Sequence, residues 1–282
     1  MVGFEMLTVG ALLALRDARG LPRQRVLFYA WHPLPLFEFA GSGHIDAAAI
    51  GLMLLACWLS GRARPFSAGA ALGAAALVKF FPAVIAPALY RRWGWRLPTA
   101  LCGVIIVLYL PYLGVGWHVL GFLPDYAHDE GLANGSGFFI MNALGAVLPL
   151  PPWATAIYLM VGCAIMAGIA WAVVMRRHPA RVALTAALAL LTTFTLWVSP
   201  HLAWYFTWII PFLCFRPSWA LIYLSASAPL LYDIVWRPGA LPLHAALYLP
   251  FALILALEAG LRCRRSAMEP SDDGSLRSRH VG

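Results

Sequence analysis

Apolar runs separated by short polar stretches recur along nearly the whole of this chain and limit the folds it can adopt. They lie at about residues 3–15, 26–42, 46–60, 67–90, 97–114, 152–174, 182–198, 201–215, 218–235 and 241–261. Only 11% of the residues are charged, whereas soluble domains carry about 25%. A soluble core is therefore excluded, and the pattern predicts an all-α polytopic membrane protein.

The distribution of arginine along the sequence indicates whether the run at 67–90 crosses the membrane once or turns back as a hairpin. As a single span, this run would place neighbouring basic loops on opposite sides of the membrane. As a hairpin of two half-helices turning at residues 79–82, it leaves every basic residue except Lys79 and Arg237 on the cytoplasmic side, as the positive-inside rule favours. Pro82 gives the helix a physical reason to break. We therefore predict about nine membrane-crossing helices plus one re-entrant helical hairpin.

The two ends of the chain differ from its middle. We expect one multispanning domain over residues 1–265, with an outer loop at about 115–150, and a disordered cytoplasmic tail at 266–282. The first apolar run is too short to cross a bilayer, and the predicted topology starts it outside. We therefore expect an amino-terminal truncation, with an odd number of spans preceding Met1.

Composition and motifs exclude several classes of function. The net charge of +8 comes from arginine clusters between apolar runs, which is typical of topology signals and not of a nucleic-acid surface. No P-loop, HExxH or GxSxG motif is present, and the cysteines lack metal-ligand spacing. No cofactor or metal site is predicted, and the sequence leaves a divalent-metal requirement open. The arginine-rich and alanine-rich composition is typical of a bacterial protein, so we expect a bacterial cytoplasmic (inner) membrane location.

The predicted topology brings five polar segments to the non-cytoplasmic face of the membrane. They are residues 38–46, the turn at Lys79, the loop at 115–150, residues 199–201 and residues 232–237. Ionisable groups at membrane depth are costly and usually line a cavity or a reaction site. This face is therefore the candidate active site.

Residues 38–46, with the sequence EFAGSGHID, hold the candidate catalytic groups. Asp46 begins an apolar helix, where it either caps the helix or acts as a general base or as a group that orients one. His44 either shares a proton with an acceptor or forms hydrogen bonds at the interface. Glu38 lies deeper and must be protonated or paired, because an isolated charge there is expensive.

Lys79 and Arg237 are the two cations that the topology places outside. Lys79 either snorkels toward the interface or holds a phosphate. Arg237 either pairs with the nearby Asp233 or recognises phosphate as well. Both are therefore candidate substrate-binding residues.

The segment at 197–208, with the sequence WVSPHLAWYFTW, is densely aromatic. An interfacial aromatic belt is one interpretation, and stacking of a sugar on an aromatic ring is the other. On the second interpretation His201, Trp204 and Tyr205 bind substrate.

Three of these segments together resemble glycosyltransferase family 87, which contains polyprenol-phosphate-mannose-dependent mannosyltransferases and their bacterial relatives. WHPL at 31–34, followed by EFAGSGHID at 38–46, resembles the family signature NPL…EFAGNGHND. LVKFFP at 77–82 is similar to its LVK-x-x-P turn, and residues 199–211 are similar to its SP…W…LPF segment. The resemblance covers about residues 26–215.

The resemblance implies a C-type glycosyltransferase with a site at the outer leaflet and a polyprenyl-phosphate sugar donor. In such enzymes a carboxylate accepts the proton of the acceptor hydroxyl while cations hold the departing phosphate. Asp46 and Lys79 match those needs, with Arg237 as a second phosphate ligand. His32 and Ile45 stand where the family commonly has Asn. The family's acidic residue in the first outer loop is expected upstream of this chain, which would then be incomplete or inactive as given.

We therefore expect a membrane glycosyltransferase that moves a hexose, mannose by the resemblance, from a polyprenyl-phosphate donor to an extracytoplasmic glycan or lipid acceptor. Membrane lipid is the other expected partner, and nucleic acid is not one. The alternative is a non-catalytic or translocating multispanning protein, such as a degenerate paralogue or a lipid-sugar flippase. An acyltransferase shares the topology but lacks the motifs. A translocator should expose polar groups through the full membrane depth, whereas this chain gathers them at one face.

Overall fold

The computed structural model describes residues 1–90, 94–121, 123–132, 134–176, 180–235 and 241–268. Within these ranges the chain is helical and forms no strand. The main helices are α1 (Val2–Asp17), α2 (Asp46–Gly61), α3 (Pro65–Val78), α4 (Arg96–Tyr109), α5 (Ala154–Met175), α6 (Ala180–Val198), α7 (Trp219–Ser227) and α8 (Leu241–Met268). Shorter helical segments join them at Arg23–Val26, Leu27–Ala30, Pro33–Pro35, Leu36–Gly41, Phe81–Ile85, Ala86–Tyr90, Leu110–Leu120, Leu123–Asp129, Phe139–Gly145, Ala203–Ile209, Ile210–Leu213 and Ala228–Val235.

Three helices in the described part of the chain are long and apolar enough to cross a membrane: Arg96–Leu120, Ala154–Met175 and Leu241–Arg264. Nine continuous crossings are not confirmed. Several other apolar runs are divided into a short α-helix and a 3₁₀ or π segment at a proline, so each regular piece is shorter than the roughly 20 residues that a straight span needs. The protein is a membrane protein, all-helical over its described residues, with several shorter apolar helices besides the three long ones.

The segment Pro33–Gly41 and α2 form a bent pair. The two helices meet at an angle of 117° across a short break, so they make either one broken span or a re-entrant loop. Two separate crossings were predicted here from the runs at 26–42 and 46–60. Gly43 lies in this break with a φ of +73°, a conformation that only glycine adopts without strain.

Helices α3 and α4 pack closely and run in the same direction. A Cβ on Gly69 would collide with the carbonyl oxygen of Leu97, and a Cβ on Gly73 would lie 2.7 Å from that of Leu101. The Gly-x-x-x-Gly pair thus serves close helix packing. Because parallel neighbours need a return connection, the chain between them reverses its direction, as the predicted hairpin at 67–90 requires.

The core reaches the candidate site, and the arginine-bearing end of α2 lies away from it. Trp208 and other fully buried residues of the segment 203–213 belong to the same hydrophobic core as buried residues of α1, α2 and α3. At the far end of α2, Arg62 lies over the ring of Trp58, 5.1 Å from its centroid. Asp46 and Gly61 delimit this 16-residue helix, so its two ends are about 24 Å apart at 1.5 Å per residue.

Candidate active site

Asp46 and Lys79 form an ion pair that joins α2 to the break after α3. The Nζ of Lys79 lies 2.9 and 3.1 Å from the two carboxylate oxygens of Asp46. The Nε1 of Trp208 donates a further hydrogen bond of 2.9 Å to the same carboxylate. Asp46 is the first residue of α2, and the N-cap position before it belongs to Ile45. Two strong donors therefore hold a carboxylate that is almost fully buried.

Aromatic rings form the wall beside Lys79. The Lys79 ammonium lies 4.3 Å from the centroid of the Tyr205 ring, a cation–π distance. The ring of Phe81 stacks on Tyr205 at 5.1 Å and on Trp208 at 5.6 Å. Lys79 is 19% exposed, so its charge is mostly buried beside this wall.

Glu38 and His44 form a second pair, on the bent segment that precedes α2. Glu38 lies in the π-helical turn Leu36–Gly41 and is fully buried, and the hydroxyl of Tyr232 donates to its Oε1. The Nδ1 of His44 lies 3.0 Å from Oε2 of Glu38 and 3.3 Å from the main-chain carbonyl oxygen of the same residue. The carbonyl oxygen is a hydrogen-bond acceptor, so we infer that Nδ1 carries the proton and that Nε2 keeps its lone pair.

The ring of Trp204 connects the two pairs. His44 stacks on Trp204 with a centroid distance of 4.4 Å, and Trp204 lies 6.0 Å from Tyr205. Both aromatic residues come from the 3₁₀ segment Ala203–Ile209. This short segment therefore supplies one surface that touches both the histidine and the lysine of the site.

Glu130 reaches the same aromatic surface from the chain between Leu123–Asp129 and Phe139–Gly145. The Tyr205 hydroxyl donates to its Oε1 at 3.1 Å, and the Nε2 of His201 lies 3.5 Å from its Oε2. The loop is tied to the end of α6, where the main-chain N–H of Phe139 donates to Oγ of Ser199 at 2.7 Å. The segment that carries Glu130 is thus part of the site.

The structure brings together all of the predicted site residues that it describes: Glu38, His44, Asp46, Lys79, His201, Trp204 and Tyr205. Arg237 lies outside the described residues. Sequence reasoning missed the roles of Glu130, Trp208, Tyr232 and Phe81, which contact the predicted residues. The signal for Glu130 was its place in an outer loop without lysine or arginine, and Trp208 was assigned to an interfacial belt.

Carboxylates outnumber lysines and arginines at this site. In the described part of the chain, the site holds the carboxylates of Glu38, Asp46 and Glu130, which contact His44, Lys79 and His201, respectively. No group of three or more His, Cys, Asp or Glu side chains in the described ranges is arranged to hold a metal ion. The arrangement can accept a proton at His44, place a cation near a developing anion and present aromatic faces to a sugar.

Comparison with known proteins agrees with this chemistry. The sequence model of glycosyltransferase family 87 matches residues 3–200, which is more than half of the chain. No curated protein and no solved structure matches the chain. The match includes the bent segment, the ion pair and the outer loop. The chain therefore belongs to glycosyltransferase family 87.

Proposed function

We propose that this chain transfers a hexose, with mannose as the first candidate, from a polyprenyl-phosphate donor to a hydroxyl of a glycan or lipid acceptor. One observation carries the proposal: the pair of Glu38 and His44 shares an aromatic surface with Lys79 in an otherwise apolar helical fold. Membership of a glycosyltransferase family supports the reaction class. Gathering of the polar groups in one cluster favours a transferase over a translocator.

In the proposed reaction His44 is the general base. Its Nε2 accepts the proton of the acceptor hydroxyl while the hydroxyl oxygen attacks the anomeric carbon. The bond from that carbon to the phosphate oxygen breaks, and its electron pair leaves on the polyprenyl phosphate. The main-chain carbonyl oxygen of Glu38 holds the imidazole by Nδ1. The buried Glu38 carboxylate, whose Oε2 lies 3.0 Å from Nδ1, stabilises the imidazolium that forms. The products are the glycosylated acceptor and polyprenyl phosphate.

Lys79 is the proposed ligand of the departing phosphate, and Asp46 positions it. Asp46 has two strong donors and is almost fully buried, so it suits a positioning role better than that of a base. The negative charge that develops on the phosphate attracts the Lys79 ammonium, which is the more exposed partner of the pair. Arg237 is proposed as a second phosphate ligand.

The proposed setting is the outer face of a bacterial cytoplasmic membrane. On the topology of about nine crossings and one re-entrant hairpin, Asp46 and Lys79 lie outside and the arginine clusters lie inside. The length of α2 supports this arrangement, since Asp46 and the arginine that follows Gly61 mark opposite ends of a helix about 24 Å long.

Transfer of label from polyprenyl-phosphate mannose tests the proposal directly. Membranes that carry the chain should move radiolabelled mannose into a lipid or glycan product, and His44→Gln should lower the rate about 100-fold because the base is lost. His118→Gln is the matched control, since this histidine is exposed and lies away from the site contacts. Absence of transfer by the unaltered chain would contradict the proposed polyprenyl-phosphate donor. Equal rates in the two variants would show that His44 is not the general base.

A further inference from the structure

Glu130 is the site carboxylate that the proposed reaction leaves unused. Its Oε1 accepts from the Tyr205 hydroxyl at 3.1 Å, and its Oε2 faces Nε2 of His201 at 3.5 Å. Each carboxylate oxygen offers about two acceptor positions, so these contacts leave acceptor capacity on Glu130. The side chains of Glu130 and His201 are 16% and 32% exposed, respectively, and both reach the surface of the site.

The loop around Glu130 is built to hold this carboxylate in place. Gly131 has a φ of +65°, and the Gly137 N–H donates to the Gly131 carbonyl oxygen at 3.0 Å, which closes a loop between the two glycines. A Cβ on Gly137 would collide with the carbonyl oxygen of Glu130. The loop therefore packs its own backbone against Glu130, and the Ser199 anchor ties it to α6.

The negative charge of Glu130 determines which kind of ligand can bind beside it. A carboxylate repels a phosphate and accepts hydrogen bonds from hydroxyl groups. Tyr205 separates Glu130 from Lys79, because its hydroxyl touches the carboxylate while its ring faces the ammonium. The cationic side of Tyr205 therefore suits the phosphate of the donor, and the anionic side suits a neutral molecule that is rich in hydroxyls.

We propose that Glu130 and His201 form the subsite that binds the acceptor, and that this acceptor is a neutral polyhydroxyl group such as an unmodified sugar. The inference rests on the proposed function, because it assigns the second substrate of the same reaction. Glu130 accepts hydrogen bonds from acceptor hydroxyls, His201 makes a further polar contact, and the neighbouring Trp204 ring offers an apolar face to the sugar.

Binding and transfer can be measured separately on the full chain in lipid nanodiscs. Methyl α-mannoside is the neutral probe and mannose 6-phosphate is its anionic counterpart, both followed by saturation-transfer NMR without donor. Glu130→Gln should weaken methyl α-mannoside binding about tenfold, the effect of losing one charge-assisted hydrogen bond. It should also reduce the preference for the neutral probe over the anionic one. Gly137→Ala, which displaces the Glu130 backbone, should weaken binding in the same direction.

Asp129→Asn is the matched control, because Asp129 is the exposed neighbour of Glu130 on the same loop. Its binding should stay within about twofold of the unaltered chain. Equal losses in Asp129→Asn and Glu130→Gln, or no loss in Glu130→Gln, would overturn the subsite. Unaltered melting temperatures of the variants establish that the comparison concerns binding and not folding.

Transfer from polyprenyl-phosphate mannose to methyl α-mannoside distinguishes the two proposals. Glu130→Gln should raise the KM for the acceptor about tenfold and leave the donor KM within about twofold. A raised donor KM with an unchanged acceptor KM would overturn the subsite while transfer itself stands. Absence of transfer by the unaltered chain, with probe binding still lost in Glu130→Gln, would overturn the proposed donor and support the subsite.

Discussion

At the residue scale, the groups that surround each ionisable side chain define what it can do. Asp46 is held by Lys79 and by the indole N–H of Trp208, so its charge is neutralised inside the fold. Glu38 is equally buried but faces His44, whose other ring nitrogen is left for chemistry. Two carboxylates eight positions apart in the sequence thus have different roles, because their neighbours differ.

The two partners of the Asp46–Lys79 pair should differ in their effect on stability. Lys79→Met should lower the free energy of unfolding by about 3 kcal/mol, because it leaves an almost fully buried carboxylate without its cation. Asp46→Asn should cost only about 1 kcal/mol, since Lys79 is partly exposed and can turn to water.

Thermal unfolding of both variants and of the double variant in detergent measures this difference. The double variant should be more stable than the sum of the two losses predicts, because it removes both charges together. Equal and additive losses would mean that the pair does not neutralise a buried charge.

At the element scale, the site is assembled where helices are interrupted. Glu38 lies in a π turn, Lys79 adopts an extended conformation between α3 and a 3₁₀ segment, and Trp204 lies on another 3₁₀ segment. Irregular backbone at membrane depth is tolerated only where it is buried in protein or lines a cavity. The breaks therefore place polar side chains against one another and keep them away from lipid.

The packing of α3 against α4 should depend on Gly69. Gly69→Ala places a methyl group against the Leu97 carbonyl oxygen and 2.9 Å from Cβ of Ala100, which forces the helices apart and should cost about 2 kcal/mol. Gly103→Ala on α4 is the control, since nothing lies within 4 Å of its Cβ position and alanine favours the helix. The melting temperature in detergent should fall for Gly69→Ala and not for Gly103→Ala. An equal fall for both variants would contradict the close approach of α3 and α4 at Gly69.

At the scale of the whole molecule, the chain reverses its direction between α3 and α4, and this reversal determines which residues lie at the same end of the fold. Phe66 at the start of α3 contacts Trp95 just before α4, with ring centroids 5.9 Å apart. Both helices therefore begin at the same end of the fold, and Lys79 lies at the other end, where it meets Asp46. The apolar surfaces of α5 and of the long segment Arg96–Leu120 are almost entirely exposed, as expected of helices that face lipid.

Cysteine accessibility tests this arrangement in intact cells. In a background without the native cysteines, Asp129→Cys should react with a membrane-impermeant maleimide added from outside. Trp95→Cys, which is exposed in the structure, should react only after the membrane is permeabilised. Labelling of position 95 from outside would contradict the predicted hairpin and the proposed location of the site on the outer face.

Much of the site was accessible to prediction from local patterns. The spacing in EFAGSGHID identified Glu38, His44 and Asp46, and the charge distribution singled out Lys79 at a proline-broken helix. Both signals are local, because an ionisable group in an apolar run is costly wherever the run folds. The contacts of Glu130, by contrast, join residues 75 positions apart, and no local pattern encodes them.

By itself, the sequence determined that this chain is a helical membrane protein with its ionisable groups gathered in a few segments, because composition and hydropathy act through solvation alone. Only the tertiary structure decided which group pairs with which. Trp208 reaches Asp46 across 162 positions and Tyr232 reaches Glu38 across 194. The first of these contacts helps to hold the Asp46 carboxylate, which is why His44 and not Asp46 is the proposed base. Hydrogen bonding and burial depend on neighbours that only folding brings together.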